Sequence, residues 1–440
     1  MSSARGTAIG PTLMAVVAAL LAAAHFSRAD QWSLLAVSLA APLLLALPGR
    51  WPVRLLQVLL LGAAAEWVRT AARLTAGRMA AGEPWLRLVV ILAAVAAVTV
   101  IAAWLQGRTA GRRPAEAPGA EGVTVAAFAI ASVTMGAAHS MVRPPILLAE
   151  RFLAGAGWLE IAALALYAAR LARHLADGDR WAERRRWLWG LFSVVFFAQL
   201  ALGLAGLAGF LMSGKLHLPV PALIAAGPVW RGGGFFMPIL FLATVVLVGP
   251  AWCSFLCYIG AWDAALAAQR PRPLELPAWT RWGRWITLPG VALAALGLRL
   301  TGAPPLAATA AAAAFGLAGV GIILTVSRRY GIMAHCTTWC PMGLVAALLG
   351  RLHPLRIRIG KECTECCRCT AACRYGALAA DDIRRRRPGL NCTLCGDCVE
   401  SCHGGWIGYR FPGLSSHTAR LLFIALAAAL HAACLGLARI

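Results

Sequence analysis

The chain has 440 residues, of which 60% are apolar and 13% are charged. A soluble domain carries about 25% charged residues, so this composition excludes an ordinary soluble enzyme, a disordered protein and a nucleic-acid-binding module. The 41 Lys and Arg against 18 Asp and Glu give a net charge of +23, which in a membrane protein is typical of Arg-rich cytoplasmic loops. All 14 cysteines follow residue 250, and such clustering indicates a chemical role.

Runs of about 20 apolar residues, long enough to cross a bilayer as a helix, recur along the chain. We predict eleven spans at about 7–26, 31–48, 51–68, 86–105, 122–142, 152–174, 187–211, 234–252, 285–302, 305–326 and 418–437. Segments 69–85 and 143–151 are shorter and partly polar, so we expect them at the membrane interface. The first run is kept as a span rather than a signal peptide, because only Arg5 precedes it and no clear cleavage site follows. The predicted fold class is an all-α polytopic membrane protein of about eleven transmembrane helices.

The distribution of basic residues predicts the topology. With the N-terminus in the cytoplasm and alternating spans, most Lys and Arg fall on the cytoplasmic side, as the positive-inside rule requires. The arginine runs 184–186, 328–329 and 384–387 are all on that side. We therefore predict a multi-pass protein of a bacterial cytoplasmic (inner) membrane, with its N-terminus inside and its C-terminus outside.

Two stretches near the C-terminus, 363–373 and 392–402, both read C-x2-C-x2-C-x3-C. This is the spacing of bacterial two-cluster ferredoxins, in which a tight loop supplies three thiolates to one [4Fe–4S] cube and the fourth thiolate goes to the other cube. The two copies predict two clusters in a small cytoplasmic α+β module of the bacterial-ferredoxin kind. The assigned ligands are Cys363, Cys366, Cys369 and Cys402 for the first cluster, and Cys392, Cys395, Cys398 and Cys373 for the second.

Zinc is the main alternative occupant of these motifs, because paired CxxC sequences also hold structural zinc. A zinc site needs neither the third nor the fourth cysteine of each motif, whereas a cube uses both. Arg374 and His403 stand where such ferredoxins usually have a proline, which is not a ligand, so we expect binding to survive. Cys367 is extra and is interpreted as a free thiol, and Cys434 is interpreted as a core residue.

A second kind of cysteine motif, C-x3-C, occurs twice near predicted cytoplasmic ends of spans. The pairs are Cys253 with Cys257, and Cys336 with Cys340. Superposing them also aligns a glycine three residues downstream of each pair, so we interpret 234–266 and 315–349 as a duplicated two-span unit. Two such pairs can bring four thiols together, where they hold a further iron–sulfur centre or cycle between dithiol and disulfide. Buried small hydrophobes are the alternative interpretation.

The combination of spans, two C-x3-C motifs and a following 2×[4Fe–4S] module resembles the polyferredoxin-type membrane proteins of the NapH/NosR group, over about 187–412. The resemblance implies a membrane-bound electron-transfer protein that links the quinone pool or a cytoplasmic donor to a partner redox protein, in anaerobic respiration or a related reductive pathway. The chain departs from the group at Tyr258, where the motif has proline. It also lacks a flavin-bearing extracytoplasmic domain and adds about six spans.

Other candidate residues are fewer. The outer loop 213–234 fits a re-entrant segment, in which Lys215, His217 and Arg231 are candidates for contacting a quinone headgroup or a partner, or for anchoring at the interface. No pair of histidines stands at a spacing that suits haem, so haem is not expected. No nucleotide-binding glycine motif occurs, and no nucleic-acid partner is expected.

Four regions follow from these patterns. They are an N-terminal transmembrane region of about six helices with no assigned function (1–186), a duplicated transmembrane core (187–350), the ferredoxin-type module (351–412) and a C-terminal transmembrane helix (413–440).

The sequence supports three functional hypotheses. The first is an electron-transfer subunit of an oxidoreductase system. The second is a redox-active maturation or regulatory protein that reduces metal or disulfides during assembly of another complex. The third is a redox-driven transporter, which ranks last because no span carries a chain of ionisable residues.

Overall fold

A computed structural model describes residues 9–46, 50–111, 119–142, 145–177, 180–211 and 218–437. The chain forms two compact units, the first within 1–177 and the second within 178–440. Among the described residues, eight helices are long and apolar enough to cross a membrane, and helix predominates over strand. The expected helical, multi-pass membrane architecture is therefore present.

The regular elements described in the first unit are all helices. Its helices are α1 (Ile9–Arg28), α2 (Trp32–Ala40), α3 (Trp51–Ala80), α4 (Leu86–Gly111), α5 (Ala120–Met141), α6 (Leu148–Phe152) and α7 (Gly157–Ala176). Helix α3 packs along α4, and α5 packs along α7. Ion pairs inside the unit satisfy polar groups on these apolar helices, such as Arg54 Nε with Glu121 Oε1 at 2.8 Å.

The second unit contains the remaining helices and the only two described strands. Its long helices are α8 (Trp181–Leu204), α10 (Phe236–Val248), α13 (Gly283–Leu300), α14 (Pro305–Ile322) and α20 (Ser416–Gly436). Its short helices are α9 (Leu223–Arg231), α11 (Trp252–Phe255), α12 (Tyr258–Ala267), α15 (Arg328–Tyr330), α16 (Pro341–Gly350), α17 (Arg368–Ala372), α18 (Ala380–Arg384) and α19 (Asp397–Ser401). The strands are β1 (Arg356–Ile359) and β2 (Ile407–Arg410).

The structure differs from the predicted spans in three places. In the segment 31–48, the described residues form α2 and a 3₁₀ helix (Ala41–Ala46) instead of one long helix. The segments 152–174 and 285–302 correspond to the helices α7 and α13, and neither helix is among the eight candidate spans. Helix α7 carries Glu160 and two arginines, and α13 begins with the buried Arg284, so charged side chains lower the mean hydropathy of both. The count of about eleven spans stays a prediction.

Several element boundaries also differ from the expectation. Helix α3 continues without a break to Ala80, so most of the segment expected at the interface is helical. The first compact unit ends at Asp177, before the predicted boundary at 186, because α8 starts at Trp181 and its first turns pack into the second unit. The predicted core, module and C-terminal helix all lie within that second unit.

The cysteine-rich module, residues 351–412, contains β1 and β2 as an antiparallel pair in which Ile357 lies opposite Tyr409. The ring of Tyr409 is 1% exposed and stacks on Phe423 of α20, with the centroids 4.7 Å apart. The final long helix therefore packs directly against the strand that closes the module.

Candidate functional site

The two cysteine loops of the module adopt the same backbone conformation. Glu365 and Leu394 both have φ of +58°, and the N-cap residues of α17 and α19, Cys367 and Gly396, are also left-handed. The fourth cysteine of each motif, Cys373 or Cys402, is the C-cap of the short helix with extended backbone. Positive φ is rare outside glycine, so its recurrence at equivalent positions identifies a repeated loop-and-helix unit.

The first cradle is a small cavity in which the cysteines from both loops meet. Its cysteine lining is Cys363, Cys366, Cys369 and Cys402, together with the extra Cys367. The second cradle is another small cavity in the same module. Its cysteine lining is Cys373, Cys392, Cys395 and Cys398. Each cavity therefore gathers three cysteines of one loop and the fourth of the other, as the spacing of a two-cluster ferredoxin requires.

The donor set fits a cluster better than a single ion. Among the described residues, no group of three or more His, Cys, Asp or Glu side chains is arranged to bind a single metal ion. The irons of a cube occupy its corners, so its thiolates stand farther apart than those around one zinc ion. The residues present fit a [4Fe–4S] cube, and the binding of iron stays a prediction.

Burial controls the protonation of the second cradle. It raises the pKa of Cys373, Cys392 and Cys395 to about 12, so without metal these thiols are protonated at neutral pH. A metal centre needs thiolates and displaces those protons. Metal binding at the second cradle would therefore release protons and be favoured as the pH rises.

The two loops differ in exposure. Residues 364–368 of the first loop are all exposed, whereas residues 393–398 of the second loop are all buried. The first cradle consequently lies at the outer surface of the module, and the second lies on its inner side, against the helices of the same unit.

The extra cysteine occupies a position that favours glycine. Cys367 has φ of +58°, where the equivalent residue of the second loop is Gly396, and its exposed thiol donates to the carbonyl of Glu365 at 3.3 Å. We expect Cys367→Gly to stabilise the module by about 1 kcal/mol, because glycine adopts this conformation without strain. Denaturant unfolding and iron analysis of the variant check this. A fall in iron content would show that Cys367 is a ligand.

The C-x3-C motifs also share one local structure. The second cysteine of each, Cys257 or Cys340, is the extended N-cap of a ten-residue helix, α12 or α16. The glycine three residues further on packs against its own motif: a Cβ on Gly260 would lie 3.0 Å from the carbonyl oxygen of Cys253, and one on Gly343 would lie 2.8 Å from that of Cys336. Only glycine fits so close to a backbone oxygen, which gives the aligned glycines a physical role.

The four cysteines of these motifs converge. Cys253 and Cys340 pack in one buried cluster with Phe241 of α10, and all four thiols lie within electrostatic range of at least one thiol of the other motif. Cys253, Cys257 and Cys340 are at most 7% exposed. We call Cys253, Cys257, Cys336 and Cys340 the four-cysteine site.

The second cradle is held against the four-cysteine site by buried polar contacts. Arg185 of α8 donates to both carboxylate oxygens of Asp397, at 3.0 and 2.7 Å, and to the carbonyl of Ser254 at 3.1 Å. The hydroxyl of Ser254, between the cysteines of the first C-x3-C motif, donates to the carbonyl of Thr393 at 3.0 Å. Tyr375, which lines the second cradle, donates its hydroxyl to the carbonyl of Cys253 at 3.4 Å.

Of the three residues proposed for quinone or partner contact, the structure describes only Arg231. Arg231 is exposed at the end of α9, next to Gly227 and Gly234, and the other two residues proposed for quinone contact, Lys215 and His217, lie outside the described residues. His431 is fully buried in α20, with Nε2 3.2 Å from the carbonyl oxygen of Leu188, which indicates a structural role.

Sequence reasoning missed the residues that connect the two sites. Arg185 and Asp397 are separated by 212 positions, and no local pattern marks such a pair. Arg284 and Tyr375 gave no signal either. Asp263 could have been found, because an acidic residue within an apolar segment is itself a signal. In the structure Asp263 is fully buried and its Oδ2 accepts from the backbone amide of Cys336 at 2.9 Å.

Comparison of the chain with models of protein families, with characterised proteins and with solved structures found no match. The resemblance to the NapH/NosR group therefore rests on the motifs alone.

Proposed function

We propose that the chain is a membrane-bound iron–sulfur protein that transfers electrons between a cytoplasmic donor or the quinone pool and a partner redox protein. The observation that carries this proposal is the pair of cavities, each gathering four cysteines at ferredoxin spacing, in a chain with eight candidate membrane spans. The Arg-rich segments near the cysteines support a cytoplasmic location for the module, in a bacterial inner membrane.

Each cradle would hold one [4Fe–4S] cube, which when bound takes up and releases one electron. The chain supplies its protein ligands and surroundings. At the second cradle, burial excludes water, the amide of Ala377 donates to Cys373 Sγ at 3.3 Å, and the Arg185 guanidinium lies within electrostatic range of Cys395. Hydrogen bonds to sulfur, burial and nearby positive charge are the means by which a protein sets the potential of a cluster.

The difference in exposure between the cradles assigns them different tasks. The first cradle is reachable from solvent, so it suits exchange with a soluble carrier. The second cradle, enclosed between the module and the helices, suits exchange with the membrane part of the chain.

Substituting a ligand tests the cluster assignment. We expect Cys395→Ser to lower the iron content by about four per chain and to remove one cluster signal from the low-temperature EPR spectrum of the reduced protein. Cys366→Ser should remove the other signal. The matched control is Cys434→Ser in α20, which should keep both. An unchanged spin count in Cys395→Ser would refute the assignment.

Controlled oxidation tests the difference between the cradles. Added ferricyanide is expected to destroy the cluster of the exposed first loop several-fold faster than the cluster of the buried second loop. EPR samples taken during the reaction follow the two signals separately. Equal rates of loss would contradict the assigned positions.

A further inference from the structure

The four-cysteine site contains more potential ligands than a single dithiol needs. Two motifs of one duplicated unit contribute two thiols each, and three of the four thiols are almost entirely buried. A cysteine pair that exchanges disulfides with another protein must be reachable by that protein's thiol. The burial of Cys253, Cys257 and Cys340 blocks such access.

A buried cation at the site has no carboxylate partner. Arg284, at the start of α13, is 5% exposed, and no ion pair is found for it among the described residues. Its Nη2 donates to the side chain of Asn391, a neutral group, and its Nε has no hydrogen-bond partner in the described part of the chain. A buried guanidinium without a counter-charge costs several kcal/mol. The groups within its electrostatic range that can become anions are the thiols of Cys253, Cys336 and Cys340.

Backbone amides also favour the thiolate form. The amides of Ile259 and Gly260 at the start of α12 are directed at the sulfur of Cys257. Those of Met342 and Gly343 at the start of α16 are directed in the same way at Cys340. Helix N-termini stabilise negative charge, and here two of them point at sulfurs of a single site.

The four cysteine sulfurs and the guanidinium form one largely buried group of ionisable side chains. The buried carboxyl of Asp263 adds to it, because it lies next to the amide of Cys336 and its Oδ1 has no partner among the described residues. Buried cysteines ionise only together with bound cations, and four thiolates would need more positive charge than one guanidinium supplies, so the site would take up cations. Iron held by thiolates supplies them, and four cysteine ligands are the number that a [2Fe–2S] or [4Fe–4S] centre takes.

We infer that Cys253, Cys257, Cys336 and Cys340 together hold a third iron–sulfur centre, with two thiolate ligands from each copy of the duplicated motif. The inference rests on the proposed function, because it assumes that the chain is loaded with iron and sulfide. Ser254 and Tyr375 connect the four-cysteine site to the second cradle, so this centre would be next to that cradle.

The test measures iron and acid-labile sulfide in the full-length protein. The unaltered chain is expected to contain about ten to twelve of each, against about eight for two cubes alone. A double variant, Cys253→Ser with Cys340→Ser, should fall to about eight while both module EPR signals persist. The matched control Cys434→Ser should keep the full content.

A second measurement does not depend on variants that fold. Mössbauer spectroscopy and an EPR-monitored redox titration of the unaltered protein count the distinct iron–sulfur species. Three species support the inference, and two species overturn it. Four reversibly titrating thiols in a protein with about eight iron also overturn it, and leave the proposed function standing. A chain without iron in either cradle overturns the proposed function itself.

Discussion

Replacing Arg185 by alanine is expected to destabilise the packing of the module on the helices of the second unit by about 3–5 kcal/mol, because it leaves the carboxylate of Asp397 buried without its counter-charge. The two side chains are 3% and 8% exposed, and the guanidinium contacts both carboxylate oxygens. The same substitution removes the donor to the Ser254 carbonyl. A denaturant titration that follows cluster absorbance should show the lower free energy of unfolding. Iron should also be released faster from the second cradle.

Two further variants separate the effect of the lost ion pair from a general effect of substitutions on the stability of α8. Arg186→Ala changes the neighbouring, exposed arginine of the same helix and should alter stability by no more than about 0.5 kcal/mol. Arg185→Met combined with Asp397→Leu removes both charges and should recover much of the loss, since an apolar pair often replaces a buried ion pair without cost. If Arg185→Ala behaves like Arg186→Ala, the ion pair does not hold the module.

The second large loss of stability is expected from a substitution at Gly396. Its φ is +85°, and a Cβ there would lie 2.6 Å from the Tyr409 hydroxyl and 2.7 Å from Trp181 Nε1. Both groups donate to the second loop, to the carbonyls of Leu394 and Cys395. Gly396→Ala therefore combines backbone strain with overpacking, at about 2–5 kcal/mol in total. The EPR signal of the second cluster should weaken while that of the first remains.

A matched glycine in the same module separates the two causes. Gly405 has φ of +67°, but a Cβ there would meet no atom within 4 Å. Gly405→Ala should cost only the backbone strain, about 1–2 kcal/mol, and leave both cluster signals intact. Equal losses for Gly396→Ala and Gly405→Ala would mean that the contacts of Gly396 have no effect.

Local patterns predicted much of the fold. The long apolar runs at 51–68, 86–105, 305–326 and 418–437 each lie within a candidate span or overlap one closely, because helix length and hydropathy are local properties. The first and last residues of the helices were less predictable. Helix α8 begins at Trp181, inside a segment that charge alone assigned to a loop, because Arg185 has a distant partner that neutralises it.

At the site too, features set by neighbouring residues could be predicted from the sequence, whereas contacts between distant residues could not. The spacing of each cysteine motif is a local geometric requirement, so the grouping of thiols around two cavities could be anticipated. The partners that enclose them could not. Arg284 contacts Asn391 from 107 positions away, and Tyr375 reaches Cys253 from 122 positions away. A single sequence without aligned relatives carries no sign of such contacts.

The separation between Arg185 and its partner also bears on how the protein is made. Helix α8 is synthesised 212 residues before Asp397, which at about 5–20 residues per second is a delay of roughly 10–40 s on the ribosome. During that time the arginine has no counter-charge and cannot take its buried position without a large penalty. The ion pair between Arg185 and Asp397 therefore forms only after the second cysteine loop has left the ribosome. The docking of that loop on α8 is accordingly a late step in biogenesis.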